Sequence, residues 1–304
     1  MEAKAAPADR PVSERSSSAR NERAAFEEIL MQIKIEKDFN LDHIFDCGQC
    51  FRWEKEEDGS YTGVAFGRAV NMAYDGEVLT IDEAPRLARA SSGALWRDYL
   101  DLATDYGQIK AKLSSDDKMK AAIDYGYGIR ILNQDPWETF VSFIISQNNN
   151  IPRIKGCIEK LCEMFGDNIG EFRGKERFSF PNVETLATLS VQDLAPVKLG
   201  YRAPYIIESA KKVKAEGLPT KENLLEFKGV GPKVANCIKL FALRDTASFP
   251  IDTWMVKIMN HLYGFDESDK RGMQNFATSH FGQYGGYAQQ YLFYYARSLE
   301  ELKK

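Results

Sequence analysis

The sequence predicts an α+β fold, with an N-terminal antiparallel β-rich domain followed by a mainly α-helical domain. Residues 39–81 contain short runs rich in aromatic and β-branched residues, separated by turn signals such as Asp75-Gly76. From residue 135 onward, apolar residues recur instead at spacings of three and four, which is typical of amphipathic helices. Within that part, two helical patterns flank a tight turn at 229–231. We therefore predict a disordered tail at 1–21, a β-rich domain with linking helices at 22–134 and a helical domain at 135–304.

Each region of the chain predicts its own elements. The tail is rich in Ala, Ser, Pro and charge, with almost nothing to bury. Residues 23–34 have helical spacing and predict a short leading helix, whereas the runs FNLDHIF, CFRWEKE, YTGVAFGRAVNMAY and EVLTI predict strands. Residues 93–125 return to helical spacing, and from residue 135 every patterned segment is predicted to be a helix.

Composition excludes several classes of protein. No apolar run reaches the roughly 18 residues needed to span a bilayer, and the first 25 residues lack the apolar core of a signal peptide, so no membrane partner is expected. The five cysteines are an odd number, which favours reduced thiols in a cytosolic or nuclear compartment. Net charge is −4, but residues 140–260 hold 17 Lys and Arg against 13 Asp and Glu. The segment around the turn is therefore the basic part of the chain.

The turn Gly229-Val230-Gly231 predicts an anion-binding site. Pro232 follows in the first turn of a helix, where its missing N–H costs nothing. Unpaired backbone N–H groups at a positive helix end suit a phosphate. We therefore expect Gly229, Gly231 and Lys233 to contact a DNA phosphate. Asp252 follows Lys233 by nineteen residues and stands where the N-cap of the next helix belongs.

These residues carry a family resemblance. The run F-K-G-V-G-P-K-V-A-N-C followed by F-P-I-D resembles the helix-hairpin-helix Gly/Pro…Asp signature of base-excision DNA glycosylases, and the hairpin lysine resembles the bifunctional branch. The motifs G-Q-x-F-R-W, N-N-N, G-Y-R and Q…F occur around it in the family's order, over residues 39–300. The chain is thus similar to the 8-oxoguanine DNA glycosylase/AP lyases of the endonuclease III-like superfamily.

The resemblance implies an activity. A bifunctional DNA glycosylase/AP lyase would flip 8-oxoguanine paired with cytosine out of duplex DNA, in base excision repair. Lys233 would attack the anomeric carbon and form a Schiff base, and β-elimination would follow. Asp252 would stabilise positive charge on the sugar, in addition to capping its helix.

The resemblance also implies a pocket for the damaged base. The backbone carbonyl of Gly48 would accept the proton that distinguishes 8-oxoguanine from guanine. Cys237 lies one helical turn after Lys233, so both side chains project from the same face. Phe293 would stack on the base, and Gln289, four residues earlier, would contact its Watson–Crick edge.

A second set of residues is expected to contact the partner strand. Asn148 and Arg153 match family residues near the cytosine left unpaired, although a helix-capping role stays open for the two asparagines that follow Asn148. Tyr201 is expected to wedge into the emptied stack, and Arg202 to contact the cytosine.

No cofactor is expected to be required. An iron–sulfur cluster needs four closely placed cysteines, and none follows Cys237. The family resemblance implies a structural cation on the backbone carbonyls of Leu225, Phe227 and Val230. Trp254 stands where the animal enzymes carry a histidine that touches the DNA backbone.

Two alternatives remain at this point. One is a monofunctional glycosylase for alkylated bases of the 3-methyladenine type, which lacks the hairpin lysine. The other is a non-catalytic helix-hairpin-helix DNA-binding protein. The sequence also leaves an inactive scaffold open as a further possibility. The expected partner is double-stranded DNA containing oxidised guanine, bound by a monomer. The expected location is the cytoplasm or nucleoid in a bacterium and the nucleus in a eukaryote.

Overall fold

The computed structural model describes residues 29–84 and 92–302, which contain one five-stranded sheet, one two-stranded hairpin and a set of packed helices. The strands are β1 (Ile29–Lys34), β2 (Trp53–Lys55), β3 (Tyr61–Ala65), β4 (Arg68–Tyr74), β5 (Val78–Glu83), β6 (Asn168–Phe172) and β7 (Lys175–Phe178). The helices are α1 (Leu41–Phe45), α2 (Ser92–Tyr99), α3 (Tyr106–Leu113), α4 (Asp117–Tyr125), α5 (Pro136–Ile145), α6 (Ile151–Phe165), α7 (Val183–Thr188), α8 (Arg202–Glu216), α9 (Pro232–Phe241), α10 (Thr253–Tyr263), α11 (Lys270–His280) and α12 (Gly285–Ala296). The predicted α+β class is confirmed.

The N-terminal sheet is antiparallel throughout, with the strand order β1-β5-β4-β3-β2. The predicted turn between β4 and β5 is present, and the Asp75 carboxylate accepts hydrogen bonds from the N–H groups of Glu77 and Val78 at 2.9 and 2.7 Å. The sheet buries one face around Trp53, Met72 and other apolar side chains. These bonds explain why an Asp-Gly pair between two apolar runs specifies this hairpin.

Two N-terminal predictions were wrong. The described part of the predicted leading helix is strand β1, which pairs along β5 from Ile29 to Lys34. Burial alternates along its end and into the next residue, with Ile33 and Ile35 buried and Gln32 and Lys34 exposed. The run FNLDHIF is largely helix α1 instead of a strand, because the Asn40 side chain caps it by accepting from the His43 N–H at 3.2 Å.

The helical part contains a β-hairpin that the sequence analysis missed. Strands β6 and β7 are joined by Arg173 and Gly174, whose φ angles are +51° and +73°. Two successive residues with positive φ form the two-residue turn that suits an antiparallel pair. The prediction that every patterned segment after residue 135 is a helix was therefore wrong at 168–178.

The core of the helical domain also contains residues that precede its predicted start at residue 135. Side chains from α5, α6, α9 and α12 pack in one cluster, and α3 and α4 contribute Tyr106, Met119 and Ile123 to the same cluster. The boundary near residue 134 remains a prediction. The predicted tail at 1–21 lies outside the described residues. Within the described ranges, every helix is too short or too polar to cross a bilayer.

A network of polar contacts between sheet and helices fixes the position of Gly48. The amide group of Gln49 donates to the carbonyls of Ile44 and Arg130 at 2.9 and 2.7 Å, and its oxygen accepts from the Leu132 N–H at 2.9 Å. The buried Arg52 guanidinium contacts the Glu159 carboxylate at 2.9 Å. The loop before β2 is thus anchored to the helical domain.

Candidate functional site

A tight turn at Gly229 leads into α9. The arm before it is a single 3-10 turn, Leu224–Glu226, which is shorter than the helix predicted there. Gly229 has φ +81°, and a Cβ at this position would lie 2.2 Å from the Tyr205 ring. A side chain here would be both strained and sterically blocked, so the turn requires glycine.

The N-terminus of α9 leaves backbone donors unpaired. Gly231 is its exposed N-cap, in extended conformation and without a side-chain cap, and Pro232 occupies the first helical position. The first intrahelical bond starts from the Ala235 N–H, which donates to the Gly231 carbonyl at 2.9 Å. The amides of Lys233 and Val234 thus have no partner within the helix and are free to bind an anion.

Lys233 and Cys237 lie side by side on α9, as their spacing predicted. Lys233 is half-buried and Cys237 is buried. Burial raises the pKa of the Cys237 thiol, and the neighbouring Lys233 charge opposes that rise. The thiol is therefore held in its protonated form, in which it packs like a small apolar group.

Asp252 faces Lys233 from the start of α10. Its carboxylate caps that helix by accepting from the Met255 N–H at 2.9 Å, which confirms the predicted N-cap. Burial raises the pKa of the Asp252 carboxyl, while the Met255 N–H and the Lys233 charge lower it. An amine and a carboxylate are therefore held together beside the hairpin turn.

Gly48 and Phe293 meet on the opposite side of this pair. Gly48 has φ +78°, and a Cβ at this position would lie 3.0 Å from Cε1 of the Phe293 ring. Glycine allows the backbone of this loop to approach whatever lies against the Phe293 face. Two of the residues that the sequence assigned to the base pocket are thus close neighbours in its wall.

The amide side chains of Gln289 and Gln290 complete the pocket wall. Both are buried, with 4% and 2% of their surfaces exposed. The Gln290 amide group donates to the Gln289 oxygen at 2.8 Å. The sequence analysis assigned a role to Gln289 alone, and it gave no role to the pocket residues Cys47, Phe143, Phe241, Pro250 and Gln290.

All four predicted base-pocket residues line one cavity together with the predicted catalytic pair. Its wall consists of Cys47, Gly48, Phe143, Lys233, Cys237, Phe241, Pro250, Asp252, Gln289, Gln290 and Phe293. These residues come from the loop before β2 and from α5, α9, α10 and α12. The cavity therefore requires both domains to be docked.

Two of the three asparagines in the run at 148–150 make capping hydrogen bonds at helix ends. Asn148 has φ +43° and is exposed. Asn150 caps α6 by accepting from the Arg153 N–H at 3.0 Å, and Asn149 donates to the Ile145 carbonyl at 3.1 Å. The alternative left open by the sequence, helix capping, therefore applies to the second and third asparagines.

Tyr201 projects beside this run. Its side chain is 49% exposed, and its hydroxyl donates to the Gln147 carbonyl at 3.3 Å. Arg153 is also exposed and donates to the Lys198 carbonyl at 3.2 Å. We call the face formed by Asn148, Arg153 and Tyr201 the wedge surface.

Arg202 is buried, unlike the residues of the wedge surface, and its expected contact with the cytosine stays a prediction. It is 3% exposed, and its guanidinium donates to the carbonyls of Gln147, Asn148 and Leu199, the last two at 3.0 and 3.1 Å. Its plane also lies 4.4 Å from the centre of the Tyr201 ring. With these donors engaged, Arg202 holds the asparagine turn and the tyrosine in place.

An open groove connects the wedge surface with the catalytic pair. It is lined by Ser146, Gln147, Asn148, Asn149, Tyr201, Gly231, Pro232, Lys233, Val234, Ile251, Asp252, Thr253, Trp254 and Lys270. Trp254 is half-buried in its wall, with the Lys257 ammonium 5.7 Å from the ring centre. A strand running along this groove would pass from the wedge to the hairpin.

The predicted cation ligands lie in the segment before the hairpin turn and, for Val230, in the turn itself. Leu225 is 64% exposed, whereas Phe227 and Val230 are buried. The Phe227 carbonyl accepts from the Val230 N–H at 3.0 Å, and no backbone N–H of the described residues donates to the carbonyls of Leu225 or Val230. These two oxygens fit a cation that prefers oxygen ligands.

Two family models match consecutive parts of the chain. The one described as 8-oxoguanine DNA glycosylase, N-terminal domain, matches residues 32–140. The one described as HhH-GPD superfamily base excision DNA repair protein matches residues 141–281. Their order is that of the β-rich and helical parts seen here.

Individual proteins agree with these matches. A probable N-glycosylase/DNA lyase from Methanothermobacter thermautotrophicus is 33% identical over 212 residues, which cover 60% of this chain and 68% of that protein. The structure of the Clostridium acetobutylicum 8-oxoguanine glycosylase/lyase, in complex with double-stranded DNA containing cytosine opposite 8-oxoG, is 39% identical. Its TM-score is 0.82, with 88% of this chain and 97% of that chain covered. MBOgg1 in complex with a low-affinity DNA ligand is 44% identical with a TM-score of 0.84, covering 90% and 96% of the two chains. With both domains matched in order around the lysine–aspartate pair, the chain belongs to the 8-oxoguanine DNA glycosylase family of the HhH-GPD superfamily.

Proposed function

We propose that this chain excises 8-oxoguanine paired with cytosine from duplex DNA and then cleaves the strand as an AP lyase, in base excision repair. The observation that carries the proposal is the cavity in which Lys233 and Asp252 face Gly48, Cys237 and Phe293. A passive DNA-binding hairpin has no need for an amine, a carboxylate and a cavity lined by an aromatic ring and two amide side chains in one place.

The chemistry starts at the anomeric carbon of the flipped nucleotide. The Lys233 amine forms a bond to C1′ as the bond from C1′ to N9 of the base breaks, and the base leaves with the bonding electrons and takes up a proton. Loss of the sugar ring oxygen from C1′ gives the Schiff base. Removal of a C2′ proton then expels the 3′ phosphate by β-elimination.

Asp252 assists the first step electrostatically. Its carboxylate lies close enough to Lys233 for each charge to act on the other. Positive charge develops on the sugar as the base departs, and a carboxylate fixed at a helix start stabilises that charge without reorganising. The N-cap bond to Met255 keeps the carboxylate in this orientation.

The wedge surface acts on the partner strand. Tyr201 fills the space left by the extruded base, while Asn148 and Arg153 contact the unpaired cytosine. The hairpin amides at Gly229, Gly231 and Lys233 bind a phosphate of the lesion strand. A structural cation on the carbonyls of Leu225, Phe227 and Val230 would strengthen that contact.

The remaining features of the proposal concern its setting. The enzyme works as a monomer and requires no redox cofactor or iron–sulfur cluster. It acts where DNA is found, in the cytoplasm and nucleoid of a bacterium or the nucleus of a eukaryote.

Borohydride trapping tests the proposal directly. A duplex carrying one 8-oxoguanine opposite cytosine is incubated with the protein and the reductant, and the covalent adduct is measured. We expect an adduct that disappears in Lys233→Gln and persists in the control Lys239→Gln, which changes a lysine of α9 outside the cavity. Base excision should fall at least about 1,000-fold in Lys233→Gln while duplex binding is retained.

Two results would contradict the proposal. Excision without an adduct would indicate a water nucleophile, as in a monofunctional glycosylase for alkylated bases. Binding without excision would indicate a passive DNA-binding protein or an inactive scaffold.

A further inference from the structure

Gln290 is buried in the wall of the base cavity, and part of its hydrogen-bonding capacity is unused. It is 2% exposed, and its amide group donates to the Gln289 oxygen at 2.8 Å. Its own oxygen, Oε1, is buried and has no hydrogen-bond partner among the described residues. A buried carbonyl left unpaired is costly, so a fold tolerates it where a ligand completes the bond.

The bond between the two glutamines also fixes what Gln289 presents. With its oxygen accepting from Gln290, Gln289 has only its amide group left to offer to a ligand. No described residue is seen to accept a hydrogen bond from that amide group. The two side chains line the same cavity, and between them they leave one donor, on Gln289, and one buried acceptor, on Gln290, unused.

This arrangement matches one type of base edge. The Watson–Crick edge of guanine and of 8-oxoguanine carries an oxygen acceptor beside N–H donors, whereas that of adenine carries an amino donor beside a nitrogen acceptor. A donor opposite the base oxygen and an acceptor opposite the adjacent N–H complement the first edge. In the same positions adenine would place its amino group against the donor and its ring nitrogen against the acceptor, which gives two mismatched contacts. Because those contacts would be buried, the mismatch carries a large penalty.

We propose that Gln290 is a second base-recognition residue of the cavity. Its oxygen accepts a hydrogen bond from an N–H of the Watson–Crick edge of the extruded base, while its amide group holds Gln289 in the orientation that donates to the base oxygen. Gln290 thereby contributes to selection for guanine-type over adenine-type lesions. This inference rests on the proposed function.

The test separates base recognition from folding and from chemistry. An abasic site carries no base, so strand cleavage at an abasic site requires Lys233 but not Gln290. We compare kcat/KM for excision of 8-oxoguanine, kcat/KM for excision of 8-oxoadenine and the rate of abasic-site cleavage. The variants are Gln290→Leu and Gln290→Met, which keep a side chain of similar size and remove both polar groups in two different shapes.

Tyr291→Phe provides a matched control. The Tyr291 hydroxyl is also buried without a partner among the described residues, and it lies on the same helix, but Tyr291 does not line the cavity. Removing it deletes a comparable oxygen away from the base. The control should leave the ratio of 8-oxoguanine excision to abasic-site cleavage within about twofold of wild type.

Both Gln290 variants should lose about 10- to 100-fold in kcat/KM for 8-oxoguanine. This loss corresponds to one lost buried hydrogen bond to the base and to a Gln289 side chain that Gln290 no longer holds in place. Abasic-site cleavage should stay within about twofold, and the preference for 8-oxoguanine over 8-oxoadenine should fall by a similar factor to the excision loss. Unchanged excision of 8-oxoguanine would overturn the inference. Equal losses in 8-oxoguanine excision and in abasic-site cleavage would overturn it as well.

A substrate-side measurement does not depend on how the variants fold. Wild-type protein is given 8-oxoguanine and an analogue whose N1 and 2-amino hydrogens are replaced by methyl groups. We expect the analogue to be excised at least about 10-fold more slowly, and equal excision would refute the Gln290 contact. Failure of wild-type protein to excise 8-oxoguanine at all would instead refute the proposed function.

Discussion

The base cavity and the wedge surface differ in how their polar groups are satisfied. In the cavity wall, the Gln290 oxygen has no partner among the described residues, and the first amides of α9 have none within their helix. Beside the wedge surface, Arg202 spends its donors on three backbone carbonyls. The cavity is thus arranged to be completed by a ligand, whereas the wedge is arranged to hold a fixed shape.

After Lys233, the largest effect on excision is expected at Asp252 in the cavity. Asp252→Asn removes the charge facing the reacting sugar and should slow excision at pH 7 by about 100-fold or more. The pKa of the Asp252 carboxyl is raised by burial, so in the wild type this group takes up a proton at a higher pH than an ordinary aspartate does. Excision should therefore fall as pH drops through that raised pKa, measured as single-turnover rates against pH.

The amide variant supplies its own control for the pH dependence. Asp252→Asn has no carboxyl to protonate, so its lower rate should lack the acid limb assigned to this group. An identical acid limb in both proteins would show that another group titrates.

The next effect compares the free energy of unfolding of two variants, one at Arg153 on the wedge surface and one at Arg202 beside it. Arg202→Met leaves the carbonyls of Gln147, Asn148 and Leu199 without their donor and should lower the free energy of unfolding by about 2–4 kcal/mol. Arg153→Met removes an exposed side chain and should change that free energy by less than about 0.5 kcal/mol. Urea unfolding of both variants makes the comparison.

Equal unfolding midpoints for the two arginine variants would contradict the assignment of Arg202 to the support of the turn. Arg202→Lys should restore little, because one ammonium cannot span carbonyls that a planar guanidinium reaches together.

The smallest effect is expected at Tyr201. Tyr201→Leu removes a half-exposed ring and should leave the unfolding midpoint nearly unchanged, with a change below about 0.5 kcal/mol. Excision from a fully paired duplex should slow about 10-fold, because the emptied stack is no longer filled. Single-turnover rates on that duplex provide the measurement.

A second substrate isolates the wedging role. With the lesion placed opposite an abasic site, the base is already unpaired and easier to extrude, so Tyr201→Leu should slow excision less. The same loss on both duplexes would assign the tyrosine to DNA binding in general.

Motif residues were predictable where the requirement is local. Gly229 must be glycine for its positive φ, and Asp252 is a cap whatever else it does. Such requirements are satisfied within a few residues of the chain. The turn formed by Arg173 and Gly174 was equally local, and its signal was present in the sequence and overlooked.

Other features depend on partners far away in the sequence. The segment Ile29–Lys34 has apolar residues that fit either a helix or a strand, and pairing with Val78–Glu83 decides for the strand. Arg202 is buried because the carbonyls at residues 147 and 148 reach it across more than fifty residues of chain. No local pattern reports either contact.

By itself the sequence determined the fold class, the hairpin, and the lysine and aspartate beside it, because backbone conformation, helix capping and hydrophobic spacing are short-range properties. The tertiary structure decided which polar atoms remain unpaired once the chain is folded. In the tertiary structure the Gln290 oxygen is unpaired in the cavity wall, whereas the Arg202 guanidinium donates to backbone carbonyls. Hydrogen-bond satisfaction is a property of neighbours in space, and docking of the two domains creates those neighbours.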